Sequence, residues 1–206
     1  GLQDNAKLLD FLKDCARSHV DENIRRIAVK ELAQSQTKDS SIFSALKQSA
    51  YNDDDEEVRH TAVQGLVQNF NDRPETFELF KHCIQKDEAW VVRRIAMQGL
   101  SQGWKQEKET FLHISQCAQQ DRAIYIRQVA IQQLIDEWEK HPETLSTLQK
   151  CSCKDKSSTV RILAIKTIKQ NWKDKKVLFD FWCDRTLQAP FKREYDWQDN
   201  PRQIAL

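Results

Sequence analysis

Glycine and proline are scarce, with four of each in 206 residues. That leaves little material for sheets joined by tight turns, while abundant Gln, Lys, Glu, Leu and Ala suit helices. An excess of one charge is also missing: 32 Lys and Arg face 31 Asp and Glu, for a net charge of +1. No strong overall field therefore draws the chain to nucleic acid or to an anionic membrane, although a local face can still be basic. No apolar run approaches the roughly 18 residues needed to cross a bilayer, and no secretory signal opens the chain. The signatures of nucleotide hydrolysis (Gly-x-x-x-x-Gly-Lys-Ser/Thr), serine hydrolysis (Gly-x-Ser-x-Gly) and zinc proteolysis (His-Glu-x-x-His) do not occur.

What is present is a period. Arg-x-x-Ala-x-x-x-Leu recurs every 34 residues: Arg25, Arg59, Arg93, Arg127 and Arg161 are followed by Ala28, Ala62, Ala96, Ala130 and Ala164. Leu32, Leu66, Leu100, Leu134 and the variant Ile168 complete the units. An unbroken period of this length marks a stacked array with one supersecondary unit per repeat. Such arrays act mostly by presenting a long surface and seldom by housing one reactive pocket.

Each unit carries two helical patterns. In the third, Pro74-Glu75-Thr76 opens a first helix, with Pro at an early position and Glu at the positive end of the dipole. Phe77, Phe80, Cys83 and Ile84 follow at helical spacing. Pro142-Glu143-Thr144 repeats the opening, and Lys108-Glu109-Thr110 keeps part of it. A second helix runs from about Ala89 to Trp104 with Val92, Ile95, Ala96 and Leu100 as its buried stripe. Trp104, Trp138 and Trp172 share a register with Phe70, which suits core closure better than a binding platform. Trp90 and Tyr125 break register and are expected to pack in the core or at an interface, with an exposed aromatic patch as the alternative.

An Asp stands six residues before most repeat arginines, as Asp53/Arg59, Asp87/Arg93, Asp121/Arg127 and Asp155/Arg161, with His19 before Arg25. Asp suits the inter-helix turn as an N-terminal cap, and the Arg can reach it or its neighbour in the stack. This ladder is expected to be structural. Cys15, Cys83, Cys117 and Cys151 share one small buried register with Ser49, so packing explains them. Cys151-x-Cys153 is no zinc spacing, and His19, His60, His82, His113 and His141 fall in different registers. Neither a metal site nor a cofactor is expected, and a reduced, cytoplasmic compartment is the default.

With Val58-Arg59-His60-Thr61-Ala62 and Val92-Arg93-Arg94-Ile95-Ala96 after their aspartates, the chain resembles the HEAT repeat family in its short form, related to phycobilin lyase repeats. The resemblance implies an all-α fold, a right-handed α-solenoid of stacked antiparallel helix pairs. The Trp-Leu-Gly-Tyr and Ala-Phe-Pro pattern of tetratricopeptide repeats is missing. Pro-Glu-Thr, Gly-Trp and the ending Pro-Phe-Lys-Arg-Glu-Tyr-Asp-Trp are similar to carboxy-terminal HEAT arrays of bacterial, notably cyanobacterial, NACHT-domain proteins.

The expected organisation is a single solenoid over 1–206. Five helix pairs reach about 172; a sixth first-helix (175–188), an insertion (189–199) and a truncated second helix (200–206) follow. Ending inside a hairpin suggests a piece of a larger protein.

In a HEAT stack the second helices line the concave side. Their outward residues are Arg26, His60, Arg94, Gln128 and Ile162 in one file, and Lys30, Gln64, Gln98, Gln132 and Lys166 in the next. This polar, Gln-rich face reads either as a solvated surface without a ligand or as a groove for a protein or peptide partner. Nucleic acid is disfavoured because the cations are diluted among neutral residues. The function expected is a non-catalytic protein-binding scaffold, as the sensor or regulatory arm of a NACHT-type NTPase. The alternatives are a phycobilin lyase subunit and a HEAT-like DNA-binding protein.

Overall fold

The computed structural model describes residues 2–35 and 39–172. The described residues form ten α-helices and no strand: α1 (Leu2–Ser18), α2 (Glu22–Gln34), α3 (Ser40–Asn52), α4 (Glu56–Asn69), α5 (Pro74–Lys86), α6 (Trp90–Gly103), α7 (Lys108–Gln120), α8 (Ile124–Trp138), α9 (Thr144–Lys154) and α10 (Ser158–Asn171). The expected elements at 175–188, 189–199 and 200–206 lie outside the described residues. Second helices begin at residues 22, 56, 90, 124 and 158, so the 34-residue period survives folding.

The chain divides into two compact units, residues 1–110 and 111–206. In the first, α1 packs on α2, α3 on α4 and α5 on α6, and successive pairs stack in HEAT-like fashion. The second helices α2, α4 and α6 pack on one another far more extensively than the first helices α1, α3 and α5 do. In the second unit α9 packs on α10 and both meet α8.

Local chemistry sets the helix ends. Asp21, Asp39 and Asp55 are N-caps whose carboxylates accept from the backbone N–H two residues on. Pro74 opens α5 as expected. Pro142 does not open α9: it stays in a turn, and the helix starts at Thr144. The connection after α8 takes five residues, 139–143, where those after α4 and α6 take four, and Pro142 lies within it. Thr76, Thr110 and Thr144 then repeat one lock. Each buried hydroxyl donates to the carbonyl of the aromatic that closes the preceding second helix, Phe70, Trp104 and Trp138, at 2.8, 2.7 and 2.6 Å.

Val58, Ala62, Leu66, Val92, Ala96, Leu100, Ile126, Ala130, Leu134, Val160, Ala164 and Ile168 are all buried, as the apolar stripe requires. Burying each large aliphatic side chain contributes about 1.5–3 kcal/mol. Phe70 and Trp138 are buried, while Trp104 and Trp172 are half-buried. The tightest helix approaches come at Gly65 and Gly99. A Cβ on Gly65 would stand 2.6 Å from Ala33 Cβ of α2, and one on Gly99 would stand 2.8 Å from Val67 Cγ2 of α4. Glycine there lets neighbouring second helices close up.

Candidate functional site

The ladder aspartates do not take the N-cap position expected of them. Asp53, Asp87 and Asp155 are C-caps of the first helices and do not N-cap the second ones; the N-caps are Asp55, Ala89 and Ser157. The turn between helices holds three residues, so an Asp at its start cannot also be its last residue. Its carboxylate instead accepts the N–H two residues on: Asp55, Ala89, Ala123 and Ser157 donate to Asp53, Asp87, Asp121 and Asp155 at 3.0, 2.8, 2.8 and 2.8 Å. The repeat Arg meets the Asp six residues earlier through that residue's backbone. Arg59, Arg93, Arg127 and Arg161 each donate Nη1 to the carbonyl of Asp53, Asp87, Asp121 and Asp155.

The carboxylate partner lies 28 residues on, in the next hairpin. Arg25 donates Nε and Nη2 to Asp53 at 2.8 and 2.9 Å, Arg59 to Asp87 at 2.8 and 3.0 Å, and Arg127 to Asp155 at 2.6 and 2.9 Å. Each guanidinium thus ties its own turn to the following hairpin in a two-pronged grip. Hydrogen bonding to Asp53 and Asp87 pushes the pKa of Arg25 and Arg59 above its ordinary value. These charges are committed to holding the stack.

His19 fills the Asp register of the first hairpin and takes over two of its tasks. Its carbonyl accepts from Arg25 Nη1 at 2.9 Å, and its Nδ1 accepts the Asp21 N–H at 3.1 Å. His141 does similar local work: it accepts the Glu143 N–H and stacks on Phe111 with ring centres 3.7 Å apart. The sequence signal for His19 was its register; nothing in the sequence pointed to the stacking of His141.

The outward residues of the second helices fall into two layers of exposure. Arg26, Lys30, Gln64 and Gln98 are exposed on α2, α4 and α6, and His60 and Arg94 are half-buried between them. Burial holds the His60 imidazole below its ordinary pKa of 6.5; the Arg94 charge adds to this and Glu57 opposes it. Arg94 Nε is buried and has no hydrogen-bond partner. In the second unit Gln132 and Lys166 are exposed and Gln128 is half-buried, with Gln132 donating to Asp136 at 2.8 Å.

Trp90 and Tyr125 are exposed, 45% and 48%, rather than packed in the core. Their registers are those of Glu56 and Glu57, which face solvent on the first turn of α4. Cys83, Cys117 and Cys151 are buried as expected, while Cys15 and Cys153 are half-buried. Burial pushes the Cys83 and Cys151 thiols up to about 12. Clefts of about 230 and 350 Å³ open at equivalent points of the first two junctions, at the turns holding Arg25 with Asp53 and Arg59 with Asp87. They repeat with the fold, as a feature of the scaffold. Among the described residues, no cluster of His, Cys, Asp or Glu is arranged to hold a metal ion, and no helix is long and apolar enough to cross a membrane.

Helix hairpins in a fixed register, tied where Arg25, Arg59 and Arg127 grip the Asp of the next hairpin, define an α-solenoid repeat. A family model described as HEAT repeats matches residues 9–101, from α1 to near the end of α6. No curated protein and no solved structure matches the chain.

Proposed function

We propose that the chain is a non-catalytic protein-binding scaffold whose working surface is the outward face of the second helices. HEAT repeats commonly serve as protein-interaction scaffolds. In the first unit this face carries Arg26, Lys30, His60, Gln64, Arg94 and Gln98; in the second, Gln128, Gln132 and Lys166. The close packing of α2, α4 and α6 relative to α1, α3 and α5 supports placing them on the inside of the bend.

The observation that carries the reading is Arg94. Arg25, Arg59 and Arg127 spend Nε and Nη2 on carboxylates inside the stack, whereas Arg94 holds a sheltered Nε with no acceptor beside a His60 already pushed toward its neutral form. A carboxylate from a partner would answer that donor, and Gln64 and Gln98 flank it with adaptable hydrogen-bonding groups. The partner is therefore a protein segment that presents acidic side chains.

The test is a fluorescence titration of the full chain with a labelled oligo-glutamate peptide. Replacing Arg26 and Arg94 with Glu removes charge-assisted hydrogen bonds worth about 1.5–3 kcal/mol each, so affinity should fall at least about tenfold with helicity unchanged. Equal binding by wild type and variant overturns this surface. The finer form of the proposal makes the scaffold the sensing arm of a NACHT-type NTPase. It requires a P-loop on the same native polypeptide, and a reading frame without one removes it.

A further inference from the structure

The outward face of the first unit has a gap in its charge. Arg26 of α2 and Arg94 of α6 hold the same register on two helices that both pack on α4, and the residue between them in that register is His60. His60 differs from His19, His82 and His141 in what surrounds its ring. His19 and His141 each accept a backbone N–H at Nδ1, and His82 meets Tyr51 edge to face with ring centres 4.9 Å apart. Among the described residues no hydrogen bond ties the His60 ring, and what acts on it is burial and charge.

The charges around it come from few directions. Three helices pack on α4, namely α2, α3 and α6. Arg94 of α6 is the cation that acts on the ring, and Glu57, one turn earlier on α4, is the anion that opposes it. Arg93, the other charged residue of α6, donates Nη1 to the Asp87 and Glu88 carbonyls. On α2 the outward cations are Arg26 and Lys30, both exposed, with Arg26 donating Nη2 to Asn23 at 3.4 Å. α3 carries one charged residue, Lys47. Glu57 is exposed, so water weakens its pull, and burial together with Arg94 prevails. The balance is set by one neighbour, Arg94, whose Nε is itself sheltered and without an acceptor.

We infer that this face takes its acidic partner together with a proton: the carboxylate that answers Arg94 also pairs with His60 as an imidazolium. This rests on the partner surface proposed above and adds its regulation. An anion on Arg94 enters the space from which the guanidinium acts on the ring, and so reverses the sign of the local field. An opposite charge within about 4–6 Å raises the pKa of an imidazole. The free chain holds His60 below 6.5, so the proton comes from solvent as the partner docks. Linkage then fixes the direction. Affinity rises as pH falls through the bound value and levels off below the free one, by about tenfold for each unit that separates them. The surface therefore grips an acidic segment more tightly in mildly acidic solution than in alkaline.

The test is a titration of the full chain with a labelled oligo-glutamate peptide at pH 8 and pH 6 with the salt held fixed. The peptide carboxyls, ordinarily near about 4.3, stay ionised throughout. Wild-type affinity should be about tenfold higher at pH 6, a gain that corresponds to about one unit of displacement. His60→Gln should keep its helicity by circular dichroism and bind equally at the two pH values. Calorimetry in two buffers of different ionisation enthalpy should detect proton uptake by the wild type on binding and none by His60→Gln. Wild-type affinity that ignores pH overturns the proposal, as does a pH dependence or proton uptake that persists in His60→Gln. In those cases binding that is lost in Arg26→Glu with Arg94→Glu leaves the surface itself standing. A wild type that binds at neither pH overturns both.

Discussion

Asp155→Ala tests whether the ladder holds the stack together. The side chains of Arg127 and Asp155 are each only 2% exposed, and the pair is joined by hydrogen bonds of 2.6 and 2.9 Å. Removing the carboxylate leaves a guanidinium almost out of water with two donors unanswered. Breaking a buried pair in this way costs about 3–5 kcal/mol. The Ser157 N–H also loses its acceptor, which adds about 1 kcal/mol. A domain of this kind has only about 5–15 kcal/mol in total. With a urea dependence of about 2 kcal/mol per molar, the midpoint should fall by roughly 2–3 M. The control is Glu109→Gln, which loses the pair with Lys81; Glu109 is 57% exposed, and such a pair contributes at most about 1 kcal/mol. Removing both buried charges, as Arg127→Leu with Asp155→Ala, should recover much of the loss because no charge is left stranded. The reasoning fails if Asp155→Ala shifts the midpoint no more than Glu109→Gln, or if the double variant is no better than the single.

Other consequences follow from burial. The folded chain holds the His60 pKa below the 6.5 of an unperturbed imidazole, so between the two values the unfolded chain binds more protons and stability rises with pH. The contribution is complete above about pH 6.5 and is lost below it, so the melting temperature should drop on acidification and His60→Gln should flatten part of that drop; an identical pH profile for the variant refutes it. Iodoacetamide at mildly alkaline pH should label Cys15 and Cys153 well before Cys83 and Cys151, whose thiols are pushed up to about 12; peptide mapping that finds uniform labelling of the native protein contradicts this. Leu100→Ala empties a fully buried site and should cost about 2–5 kcal/mol by urea denaturation, and a loss under about 1 kcal/mol would show that the helix layers relax into the gap.

The candidate surface was only partly legible. Arg26, Lys30, Gln64 and Gln98 could be placed on the outward face because a helical period assigns sides without reference to neighbours. That Arg94 keeps an unanswered donor while Arg93 is bound into the turn could not be read, since both are arginines one residue apart. Trp90 and Tyr125 show the same limit. Hydrophobicity favoured the core, but their place on the first turn of α6 and α8, in the register of Glu56 and Glu57, left them exposed. Pro-Glu-Thr shows it again. The threonine hydroxyl reaches back across the connection to an aromatic's carbonyl, a bond that no local pattern announces.

By itself the sequence determined the helices, their 34-residue register and the identity of the buried stripe, because periodicity and capping act between residues a turn or so apart. Only the tertiary structure decided which Asp each Arg grips. The bond spans 28 residues to the next hairpin rather than the six within a unit, since a guanidinium at the junction reaches its own turn's carbonyls and its neighbour's carboxylate together.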